Sequence, residues 1–380
     1  PTETTAAEEP TETTAAEEPT ETTAAEEPTE TTAAEEPTET TAAEEPTETT
    51  VAGMEQAPEG TEAIRACQVT DVGGIDDASF NQTAYKGVTD AVEAGWATED
   101  STYLESQAPA DYAPNIDAFI AEECDLIVTV GFLLADATAA AAEASPDQNF
   151  EILDNAYDPP IDNVVGATFA TTEAAFLAGY LAAGVSETGV VATYGGIQIP
   201  CAVTCFMDGF VYGVRHYNNV NGTDVQVLGW DPEQQTGVFT EDFENLQLGA
   251  DRTRAFVDEG ADVVLPVAGP VGEGSATVAQ ELGNLMVVGV DADWTETLPQ
   301  YSDVILTSVL KGLDVAVFEV IQDVANGEFQ GGNREFTIEE NGVGLGTIHE
   351  SVDQALLDEL AEIEAGVKDG SIDPVVPPPG

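Results

Sequence analysis

The chain has 380 residues, with 73 acidic and 8 basic side chains and a formal net charge of −65. That balance repels a phosphate backbone and an anionic membrane surface, which argues against nucleic acid as a partner. No run of eighteen apolar residues is present to span a bilayer.

The opening is an exact repeat: PTETTAAEE occurs five times from Pro1 to Glu45, and a sixth copy breaks off at Val51. The first fifty residues hold sixteen Glu, no base, and no Val, Ile, Leu, Met, Phe, Tyr or Trp. Such a segment has too little apolar surface to offset its conformational entropy. Proline in every repeat prevents a long helix, and like charges extend the chain. Residues 1–60 are therefore expected to form a disordered acidic stalk, whose threonines would also suit glycans. Acidity on this scale either selects against anionic ligands or solvates the protein in a marine or halophilic habitat, where salt screens the self-repulsion.

From Ile64 short apolar runs alternate with helical periodicities. Strands are predicted over 66–71, 102–105, 125–130, 150–153, 164–169, 190–194, 225–228, 263–267, 286–290 and 304–307. Helices are predicted over 81–94, 112–122, 134–144, 173–183, 207–218, 252–259, 275–282, 313–325 and 352–368. Near-continuous apolar strands between helices mean parallel sheets covered on both faces. About a dozen such units exceed one ordinary sheet, and two lobes side by side accommodate them.

Ligands of open parallel sheets bind beyond the carboxyl ends of the strands, so the residues there are the candidates. After the first strand, Ser79 or Asp77 is placed to cap the next helix. Phe80 beside them is either a staple onto its own helix or a stacking platform for a flat ring. Asp136 is either a helix-start charge or an acceptor for a ligand hydroxyl. Gly269 lets bare backbone approach a ligand, in a segment that lacks the ending of a phosphate loop. Asp291, Asp293 and Trp294 suit polyol hydroxyls beneath a ring. Lys311, one of three lysines, is a surface ion pair or a placed donor.

The string VTDVGGIDDASFNQTAYKG resembles the opening signature of the basic membrane protein family, the purine-nucleoside-receptor-like substrate-binding lipoproteins of ABC transporters. DLIVTVGFLLADA, EAAFLAGYLAA, GGIQIPCAVTCFMDGFVYG, GVDADWTETLP, DVILTSVLKGLDVAVFEVI and NGVGL follow in order, so the resemblance covers roughly 64–375. It implies a type I periplasmic-binding-protein fold, with two doubly wound lobes closing like a hinged clamp. By resemblance, Asp71, Phe80 and Asn81 would contact a base, with Phe80 stacking. Asp136, Asp291 and Lys311 would hold ribose hydroxyls, and Gly269 would offer backbone. Relatives tend to carry a second aromatic on the strand before Gly269; here Leu265 and Pro266 occupy that stretch, and Trp294 or Phe206 would substitute. The lobes are expected at 63–169 with 296–335 and at 172–290 with 345–376, crossing near Phe169, Asp293 and Asn341. The family further implies a lipid anchor, inferred upstream of Pro1, an extracytoplasmic position tethered to the membrane, an ABC permease as partner and action as a monomer.

In that fold the strands bearing Cys67 and Cys124 are parallel neighbours, which implies a Cys67–Cys124 bridge. Cys201 and Cys205 bracket a tight loop and suit a second bridge; four free thiols are the alternative. No catalytic residue, cofactor or metal is assigned. GGIDDA resembles the acidic metal motif of nucleoside hydrolases, but Thr70 and Val72 stand where two of its acids belong. A sugar-binding protein of the same fold and a ligand sensor are the other readings.

Overall fold

The computed structural model describes residues 55–375. The repeats, within 1–54, and the tail 376–380 lie outside the described residues, and with them most of the expected stalk. Residues 55–60, assigned to that stalk, instead belong to the fold: Trp96 Nε1 donates to Glu55 O at 2.6 Å and Ala57 N to Ala94 O at 2.8 Å.

The chain runs β1 (Ala66–Val69), α1 (Phe80–Glu93), β2 (Thr102–Leu104), α2 (Tyr112–Ala121), β3 (Leu126–Val130), α3 (Ala135–Ala144), β4 (Asn149–Leu153) and β5 (Val164–Phe169). It continues through α4 (Thr171–Val185), β6 (Val190–Gly195), α5 (Thr204–Asn221), β7 (Gln226–Leu228), β8 (Trp230–Asp231), β9 (Thr236–Gly237), α6 (Leu246–Asp258) and β10 (Val263–Val267). It ends with α7 (Glu273–Leu282), β11 (Met286–Asp291), α8 (Trp294–Thr297), β12 (Ile305–Lys311), α9 (Leu313–Ala325), β13 (Gly332–Phe336), β14 (Val343–Leu345) and α10 (Gln354–Lys368).

Two six-stranded sheets result, ordered β13-β5-β4-β3-β1-β2 and β14-β12-β11-β10-β6-β7. All their pairings are parallel except β12 with β14. Every residue of β3 and β10 is buried, as strands covered on both faces require. α4 is buried along nearly its whole length because it is apolar all round. It packs so closely on α5 that a Cβ on Gly213 would lie 2.0 Å from Phe176 O, which only glycine avoids.

Each sheet with its helices is one lobe, and the chain crosses between them three times: at Ala170, at Gly312, and between β13 and β14. Hydrogen bonds knit the crossings together, Ala170 N to Phe336 O at 2.9 Å and Gly312 N to Gly342 O at 2.8 Å. The second crossing corrects the expectation of Asp293. The expected first-lobe segment 296–335 includes residues 305–311, but β12 pairs with β11 in the second sheet, and the chain returns only at Gly312. From there α9 packs on α1, where Lys86 Nζ bonds Asp314 Oδ2 at 3.1 Å.

Candidate functional site

The carboxyl ends of β1, β3 and β4 face those of β6, β10, β11 and β12 across a cleft. Lobe 1 contributes Asp71, Asp77, Phe80, Asn81 and Asp154; lobe 2 contributes Phe206, Phe243, Gly269, Asp291 and Lys311.

On the first lobe the turn after β1 organises itself around two carboxylates. Asp71 Oδ1 accepts from Gly73 N at 3.0 Å and from Asn81 Nδ2 at 2.7 Å. Asp77 accepts from the backbone N–H groups of Ser79, Asn81 and Gln82 at 2.8–3.0 Å, so it, not Ser79, caps α1. Burial pushes Asp71 above the ordinary carboxylate range, against the opposing pull of its bonds to Asn81 and Gly73. Burial also raises Asp77 to about 6. Phe80 opens α1, and its ring passes close to Gly131: a Cβ there would lie 3.2 Å from the ring's Cε1, at a φ of +104°. Any side chain at 131 would displace the ring.

On the second lobe β12 ends in Lys311, which is buried. Its ammonium bonds Asp154 Oδ2 at 2.8 Å, lies 3.5 Å from Asp291 Oδ1, and sits 5.0 Å from the Phe80 ring centre and 4.9 Å from that of Phe206. Burial works against the lysine's charge, but the charges of Asp154 and Asp291 outweigh it and hold the pKa above its ordinary value. Burial raises Asp154, partly offset by Lys311. Asp154 and Asp291 both have positive φ, 59° and 68°, a conformation that costs about 1–3 kcal/mol in a non-glycine residue and clusters at ligand sites.

The far wall is apolar. Ile199, Ala202 and Val203 come from the loop that leads into α5, which the structure closes with a Cys201–Cys205 bridge. Cys67 and Cys124 are bridged at the opposite end of the first sheet, their Cα atoms 6.1 Å apart. Among the described residues no group of three or more His, Cys, Asp or Glu is placed to share a metal ion.

Of the residues singled out in the sequence, Asp71, Phe80, Asn81, Phe206, Gly269, Asp291 and Lys311 come together in this cleft. Asp136 does not: it is exposed in the first turn of α3, which leaves the helix-dipole reading of that charge. Trp294 does not either. Its ring is buried against Gly289 and Gly272, with Nε1 donating to Val290 O at 3.0 Å, so it serves packing inside lobe 2. Asp154 and Phe243 were not anticipated. Asp154 follows the end of β4, and the rule that pointed to Asp71 and Asp291 applies to it equally.

Two parallel-sheet lobes with polar groups converging between them define a type I periplasmic-binding-protein fold. A family model for the PnrA-like ABC transporter substrate-binding proteins matches residues 64–369, and the chain belongs to that family. It is 30% identical to the ABC transporter nucleoside-binding protein BmpA of Lactococcus lactis, over 81% of this chain and 88% of the relative. It is 31% identical to a lipoprotein of Pyrococcus furiosus, over 74% of this chain and 70% of that one. An ABC transporter solute-binding protein from Aeropyrum pernix superposes with a TM-score of 0.71 at 27% identity, covering 83% of this chain and 94% of the other.

Proposed function

We propose that this substrate-binding protein captures a nucleoside, a purine nucleoside by preference, and delivers it to a membrane permease. The carrying observation is the pair of phenylalanine rings, Phe80 from one lobe and Phe206 from the other, flanking a cluster of carboxylates with a single ammonium. Their centres, each within 5.0 Å of Lys311 Nζ, are at most 9.9 Å apart. A flat ring in van der Waals contact with both needs roughly 7–8 Å. Asp71 and Asn81, which line the same cleft, would supply an acceptor and an amide to the base, and Asp291 and Lys311 would supply groups for the hydroxyls. Four carboxylates against one lysine favour a neutral ligand over a nucleotide. The Lactococcus relative is itself named as nucleoside-binding. The Pyrococcus relative's naming as a lipoprotein supports a position outside the membrane, tethered by a lipid anchor.

The test is a thermal-shift and calorimetric comparison of inosine, adenosine, guanosine, cytidine, ribose, glucose and AMP in high salt. A true ligand at a hundredfold excess over Kd adds about 2.7 kcal/mol of stability. Purine nucleosides should shift the protein and AMP should not, and Asp291→Ala should weaken binding by about 2–4 kcal/mol. A response to ribose or glucose alone would overturn the reading.

A further inference from the structure

Ser79 stands at the N-cap of α1, where a serine hydroxyl ordinarily accepts from the first turn of the helix. Here it makes no such bond, because Asp77 takes the backbone N–H groups of Ser79, Asn81 and Gln82. The buried hydroxyl is spent across the cleft instead. It donates to Asp291 Oδ2 at 3.0 Å and lies 3.3 Å from Val290 O, both at the end of β11 in the other lobe. The backbone is strained on each side of this contact, with φ of 52° at Ala78 and 68° at Asp291. Lys311 approaches the second oxygen of the same carboxylate, so Asp291 is held from both sides.

We propose that Ser79 is a positioning residue of the cleft: its hydroxyl bridges the lobes, fixes the orientation of Asp291 and stabilises the closed state. A ligand hydroxyl then meets a carboxylate already oriented, which lowers the ordering cost of binding, and reopening has to break the Ser79 bond as well as those to the ligand. The mechanism rests on the nucleoside reading only for the identity of the ligand.

The experiment uses the full chain as Ser79→Ala and Ser79→Thr, with inosine as the probe. Release is followed by stopped-flow fluorescence, and the distance between lobes by pulsed electron paramagnetic resonance with labels at Asp117→Cys and Asp258→Cys, both exposed. Losing a bond to a charged group should speed release by roughly tenfold or more while leaving association little changed. Interlobe distances should lengthen without ligand, helix content should stay normal because Asp77 still caps α1, and Ser79→Thr should restore slow release. Wild-type release and wild-type distances in Ser79→Ala would overturn the proposal. Should the wild type not bind inosine, the nucleoside reading fails, while the ligand-free distances still decide the role of Ser79.

Discussion

Lys311 Nζ donates to Asp154 Oδ2 at 2.8 Å, and this bond joins the last residue of β12 in one lobe to the turn after β4 in the other. Both partners are buried. Removing one member of such a pair leaves an uncompensated charge and costs about 3–5 kcal/mol. Because the pair spans the cleft, opening the lobes rehydrates the orphaned carboxylates, so the penalty falls mainly on the closed state. Lys311→Met should therefore lose affinity by roughly 100-fold or more while its melting temperature without ligand changes little. Calorimetric titration with inosine beside a thermal melt checks both; wild-type affinity would remove Lys311 from the site.

The two rings predict a different signature. A base stacked on an aromatic gains roughly 1–3 kcal/mol as measured by alanine substitution, whatever the base. Phe80→Ala should weaken every nucleoside by that amount and leave free ribose unaffected. Phe206 is fully buried, so truncation to alanine would also open a cavity. Phe206→Leu keeps most of the volume and should reproduce the loss with a smaller effect on melting. Equal losses for ribose and nucleoside would mean that the rings only shape the lobes.

How much of this was legible in the sequence depended on what each signal measures. Val263–Val267 and Leu313–Ala325 were delimited at both ends, because an apolar run bounded by turn residues, or an apolar stripe of helical period, reports burial directly. β13 was missed because GNREF alternates exposed and covered residues at a sheet edge and shows no apolar run; only its pairing with β5 makes it a strand. β12 was cut short at Thr307, since Ser308 reads as a strand end. Ser308 is buried and its hydroxyl accepts from Trp294 N. The strand-end rule found Asp71 and Asp291. It could not separate a cleft residue from Trp294, whose place is decided by the bare backbone of Gly272 and Gly289 against its ring.

The two disulfides should differ in what their loss costs. In the chain-entropy account, stabilisation grows with the loop closed. The Cys67–Cys124 bridge spans 57 residues and the Cys201–Cys205 bridge spans 4. Those separations correspond to about 4 and about 2 kcal/mol. The Cys67→Ala, Cys124→Ala double variant should melt well below the Cys201→Ala, Cys205→Ala one. The second variant should instead lose ligand affinity, because its loop supplies Ile199, Ala202 and Val203 to the cleft wall. Equal melting losses with unchanged binding would contradict this division.

Glu151 gives the molecule a pH dependence away from the cleft. It lies mid-strand on β4, fully buried, and neither carboxyl oxygen has a hydrogen-bond partner. Burial raises its pKa to about 8; the nearby Arg334 charge pulls it down, while Glu319 and Asp323 push it further up. The unfolded chain releases this proton near pH 4.5, whereas the folded chain holds it until about pH 8. Across that window the folded state binds more protons than the unfolded one, so this group's stabilisation is full below pH 4.5, declines as pH rises, and is lost above 8. Glu151→Gln is neutral at every pH and similar in shape. Its stability should match the wild type near pH 4.5 and exceed it at pH 9 by an amount on the order of a few kcal/mol. Denaturant unfolding of both proteins at half-unit steps in constant high salt measures the difference. Two curves that stay parallel from pH 4.5 to 9 would mean that Glu151 ionises in the folded protein as freely as in the unfolded chain.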